Sequence, residues 1–124
     1  MDFQGKRKPH INPGSIVGTT IETNRFYTQH MGNTPEPLHR AFAMNNLSHY
    51  FKTMVTIEPI ANFDLEELVN IVDMCNPEWV NIGADSQGHN LPEPSSDKIQ
   101  ALIDNLRGSG IEVKLKSNLK RLMK

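Results

Sequence analysis

Four short apolar runs rich in β-branched residues, at 15–21, 54–60, 79–84 and 111–116, are separated by stretches whose apolar residues recur at three- and four-residue steps. A chain that switches its hydrophobic period in this way alternates strands with helices. A crossover helix carries the chain back to the end of the sheet from which it left, so the strands it joins pair in parallel. The spacing therefore predicts an α/β fold of four βα units forming one parallel sheet. The βα domain spans 15–124. The preceding 1–14 contain Gly5, Pro9, Pro13, Gly14 and three clustered bases with no apolar period, and read as a basic irregular arm.

Punctuation between the runs fits this order. Pro35 and Pro37 open a helix predicted to reach about Tyr50, with Leu38, Ala41 and Phe42 on its buried face, because proline is tolerated in a first turn where its missing N–H has no partner to lose. Pro59 stops the second strand. Asp64 is placed to cap a helix whose stripe is Leu65, Leu68, Val69, Val72 and Cys75, and Asn76-Pro77 ends it. Ser95 or Ser96 opens a third helix with Ile99, Leu102, Ile103 and Leu106 buried, closed by Gly108 or Gly110, and Leu119 to Met123 form a short last helix.

Composition narrows the function classes more than it selects one. The 124 residues carry a net charge of -1, which gives no general argument for a nucleic-acid partner. Lys6, Arg7 and Lys8 at the start and Lys114, Lys116, Lys120, Arg121 and Lys124 at the end are basic, so nucleic acid would have only the termini to use. Solvated tails and last helical turns explain the same bases. No run approaches the roughly 20 apolar residues of a membrane helix and the start lacks the apolar core of a signal peptide, so the expectation is a cytoplasmic protein with no membrane partner. Cys75 is the single cysteine and lies on an apolar stripe; it reads as core, and one copy cannot build a disulfide, a zinc knuckle or an all-cysteine iron–sulfur site.

In parallel sheets with helical cover, functional groups gather at the carboxyl ends of the strands. Those ends hold Glu22, Thr23, Asn24 and Arg25, then Glu58, then Gly83, Asp85, Ser86 and His89, then Lys116 and Asn118. Glu58, directly before Pro59 at the end of an apolar strand, is a partly desolvated carboxylate that needs a partner, either Arg25 or Lys116 or a ligand's ammonium or hydroxyl. Glu22, Glu58 and Asp85 gathered in one mouth would repel one another unless a cation sits among them, which makes the cluster a binding site or a strained relic. Lone His89 and the widely spaced His39 and His49 do not make a chelate, so no metal site and no catalytic residue is predicted.

As an ordered set, GTTIETNR at 18–25, VTIEPI at 55–60, WVNIGADS at 79–86 and VKLKSN at 113–118 resemble the carboxyl-terminal half of the phage- and bacteria-borne radical S-adenosylmethionine-like proteins. The resemblance covers about residues 15 to 120. It implies half of a TIM-type barrel, with S-adenosylmethionine lying near Glu22 to Asn24, Glu58 and Gly83 to Ser86. The family's Cys-x3-Cys-x2-Cys cluster loop has no counterpart here, so no iron–sulfur cluster is expected on this chain. Two roles follow from the resemblance. One is a non-catalytic module, phage-borne as an inhibitor or adaptor, that binds a protein partner or pairs as a homodimer or larger oligomer. The alternative is the S-adenosylmethionine- or nucleotide-binding half of a split enzyme whose cluster-bearing half is a separate chain.

Overall fold

A computed structural model describes residues 14–25, 36–88 and 90–124. The elements run β1 (Ile16–Thr20), α1 (Pro37–Ser48), β2 (Lys52–Ile57), α2 (Leu65–Met74), β3 (Trp79–Ile82), α3 (Ser96–Gly108), β4 (Glu112–Leu115) and a 3-10 turn (Ser117–Leu122). The four strands form one sheet in the order β1-β2-β3-β4, all parallel. The expected α/β fold of four βα units is present, in a half-barrel-like arrangement. Sequential order with right-handed crossovers places every helix on the same side of the sheet.

Burial alternates along the strands accordingly. Thr53, Val55 and Ile57 of β2, Val80 and Ile82 of β3 and Val113 of β4 are buried on the helix side, while Met54, Thr56, Trp79 and Asn81 are half-buried and Glu112 and Lys114 exposed on the other. The register aligns Gly18, Met54, Trp79 and Glu112 in one row of that second face and Thr20, Thr56, Asn81 and Lys114 in the next. No described helix lies against it. Lys114 Nζ stands 4.5 Å above the Trp79 ring, and the Met54 side chain lies across Gly18, where a Cβ would come within 2.5 Å of its sulfur.

Each helix is held by its apolar stripe, with local details that sequence spacing predicts unevenly. In α3, Ile99, Leu102, Ile103 and Leu106 are all buried, Ser95 Oγ accepts the Lys98 N–H at 3.2 Å, and Gly110 takes a φ of 86° that lets the Ile111 N–H return to the Leu106 carbonyl. In α2, Leu68, Ile71, Val72 and Cys75 are buried. Asp64 occupies the N-cap position but its side chain does not cap, because its carboxylate is taken by stronger charge-assisted bonds from Arg25.

The buried face of α1 differs from the prediction. Pro37, Ala41 and Met44 face the sheet, whereas Leu38 is 41% and Phe42 53% exposed. Apolar residues are spread around α1, so its periodicity alone does not choose a face. Arg40, which reaches from α1 to the Thr20 carbonyl and to Glu22 Oε1, fixes the helix rotation instead. Leu38 then lines a groove of about 460 Å³ with Ile71 and Met74 between α1 and α2. No described helix is long and apolar enough to cross a membrane.

Candidate functional site

Past the carboxyl ends of the strands the chain forms a polar cleft of about 340 Å³, lined by Thr20, Thr56, Glu58, Pro59, Ala84, Asp85, Ser86 and Gln87. Thr20 and Thr56 contribute neighbouring hydroxyls from paired positions of β1 and β2. Glu58 follows β2, and its peptide bond to Pro59 is cis. The Asp85 carboxylate accepts the Gln87 N–H at 2.9 Å, a local turn that presents Ser86 to solvent at the rim.

Glu58 is the centre of the cleft's electrostatics. Lys116 Nζ donates to its Oε1 at 2.7 Å and Asn118 Nδ2 to its Oε2 at 2.8 Å, while Asn118 Oδ1 accepts the Ala84 N–H at 3.0 Å. The Lys116 hydrogen bond, with a smaller contribution from Asn118, holds the Glu58 carboxyl below its usual range against the opposing effect of burial. β2, β3 and the turn after β4 are thereby tied at one point. Gly83 makes room for this knot, since a Cβ there would lie 2.8 Å from Glu58 Cδ and 2.9 Å from Asn118 Oδ1. Gly83→Ala is expected to cost about 1 kcal/mol, the low end for overpacking because two side-chain ends can give way. Denaturant titration of both proteins checks this.

Of the residues singled out from the sequence, Glu58, Asp85 and Ser86 line the cleft and Gly83 underlies it. Glu22, Thr23, Asn24 and Arg25 turn away toward the helices. Thr23 is fully buried, donating its hydroxyl to the Asn62 carbonyl at 2.7 Å and accepting the Arg25 N–H. Arg25 donates to both oxygens of Asp64, at 3.1 and 2.8 Å, and Asn24 both donates to Asp64 Oδ2 and accepts the Asp64 N–H. These bonds, Arg25 first, hold the Asp64 carboxyl far below the usual carboxylate range. His89 lies outside the described residues.

The predicted crowd of repelling acids does not form. Glu22 pairs with Arg40, Glu58 with Lys116, Asp64 with Arg25 and Glu93 with Arg121, while the Asp85 carboxylate accepts the Gln87 N–H. Removing the Glu58 charge therefore breaks a pair and does not relieve strain. Sequence reasoning offered Lys116 as a partner for Glu58 and placed Asn118 at the fourth strand end without its bridging role, and it overlooked Thr20 and Thr56. It also overlooked Arg121, which donates to the Asp85 carbonyl at 2.9 Å and so pins the loop at the cleft's rim. Among the described residues, no group of three His, Cys, Asp or Glu is arranged to hold a metal ion. No family model, curated protein or solved structure matches this chain.

Proposed function

We propose that this chain is a non-catalytic half-barrel module, of radical S-adenosylmethionine-like descent and phage-borne as an inhibitor or adaptor, that acts in the cytoplasm by binding a protein partner. The observation that carries the reading is the uncovered face of the sheet. Met54 and Trp79 stand there on a face that no described helix covers, and among the described residues the edges β1 and β4 have no further neighbouring strand. Unpaired edges with an open face favour pairing with another protein. Glu22 and Glu58 are each paired with a cation of the same chain, which supports binding over acid–base chemistry.

A second reading, the S-adenosylmethionine- or nucleotide-binding half of a split enzyme, is favoured by the cleft, where Glu58, Asp85 and Ser86 meet two threonine hydroxyls. Met54→Asp, together with a calorimetric titration, separates the two. The partner-binding reading expects the substitution to leave the fold intact and abolish assembly, with no heat from S-adenosylmethionine. Retained assembly, with ligand heat that Glu58→Gln weakens by about tenfold or more, the loss expected for a hydrogen bond to a charged group, would favour the second reading.

A further inference from the structure

We propose that the partner is a second copy of this chain, related by a two-fold axis parallel to the strands, so that β4 of each copy pairs with β1 of the other and the two half-barrels close into one eight-stranded barrel. This deepens the partner-binding reading and rests on it.

Strand polarity is the first argument. All four strands run the same way and follow one another across the sheet, so its two edges have the same direction. One two-fold rotation then makes both missing parallel ladders at once, forming a closed, isologous contact with no edge left over. A heterologous partner would have to supply two strands of that direction at the same separation.

The backbone groups are oriented for it. The Ile21 N–H bonds to the Thr56 carbonyl, so by the alternation of a parallel ladder the amides of Ile16 and Gly18 point away from β2. The Lys116 N–H bonds to the Ile82 carbonyl, which by the same alternation points the amides of Val113 and Leu115 away from β3. Arg40 holds the Thr20 carbonyl, so the seam runs over Ile16 and Gly18. The two exposed large apolar side chains of the sheet, Ile16 at 50% and Leu115 at 46%, lie one on each edge strand.

On the inner face small Gly18 and Thr20 of β1 lie beside Met54 and Thr56 of β2, followed by Trp79 and Asn81 of β3 and by Glu112 and Lys114, of opposite charge, on β4, and a small barrel is filled by side chains. The two clefts would then open onto one shared mouth.

The test uses the full chain. Light scattering at micromolar concentration should report twice the 14.0 kDa of one chain, and dilution should reduce it. Thr19→Cys or Val17→Cys combined with Leu115→Cys should form covalent dimers on oxidation, while each single variant should not, because a position on one edge never meets itself across this seam. Cys75 is buried with its thiol pushed up to about 12 and will not compete. A chain of single mass at every concentration, or single variants that cross-link as well as the doubles, would overturn the second-copy proposal. If the edge amides of that single-mass chain are nevertheless protected from hydrogen exchange in the species isolated from cells, the partner-binding reading stands with a different partner. If they exchange freely there, both fall.

Discussion

Phe63→Ala should remove about 3–5 kcal/mol of stability, the range for truncating a buried phenylalanine. Phe63 is fully buried, heads the fully buried side chains in volume, and sits in the segment that carries the chain from the cleft to α2. Truncation there leaves a void among groups that cannot all collapse. Lys98 Nζ lies 5.1 Å from the ring centroid and donates to Asn62 Oδ1 at 2.7 Å and to the Phe63 carbonyl, so the ring also supports a cation anchored by its own backbone. The Asn62 N–H bonds to the Pro92 carbonyl and the Thr23 hydroxyl to the Asn62 carbonyl, which joins the segment to two other loops at this end of the sheet. A domain of this size is stable by roughly 5–15 kcal/mol, so the loss is a large share of the whole. Urea unfolding should show a lower midpoint with an unchanged slope. A loss below about 1 kcal/mol, the scale of an ordinary substitution, would mean the core is not organised around this ring.

The second large effect belongs to Arg40. Its side chain is 12% and that of Glu22 20% exposed, with Nη1 to Oε1 at 3.3 Å and a further donation to the Thr20 carbonyl. Removing one member of a fully buried ion pair costs about 3–5 kcal/mol, and the residual exposure here lowers the expectation for Arg40→Met to about 1.5–3 kcal/mol, the range for a hydrogen bond to a charged group. Glu22→Gln should cost less, because the amide oxygen still accepts. The double variant should lose less than the sum of the singles, and a coupling energy near zero from that cycle would remove the pair as the device that sets the rotation of α1.

Much of the fold is legible in the sequence because its signals are local and repeated. β-branched runs, helical stripes in α2 and α3, Ser95 before α3 and the glycine after it each state their structure within a few residues, and parallel pairing follows from the order alone. The face of α1 is not legible in that way, since the choice between Leu38 with Phe42 and Pro37 with Met44 is made by Arg40 reaching a strand some twenty residues earlier. The candidate site divides similarly. Glu58, Asp85 and Ser86, singled out by their position at strand ends, line the cleft, but partner choice is a tertiary matter. Arg25 serves Asp64, about forty residues away, and Asn118 bridges Glu58 to the Ala84 amide across some sixty and thirty-four residues, distances at which spacing carries no information.

Amide hydrogen exchange on the chain as isolated from cells tests the central claim most directly, by comparing edge amides with those inside the sheet. The account predicts that the amides of Ile16, Gly18, Val113 and Leu115, which point away from the sheet of a single chain, are protected to nearly the degree of those of β2 and β3, and that Met54→Asp releases them while β2 and β3 stay protected. Edge amides that exchange at the rate of exposed loops in the isolated species would contradict it.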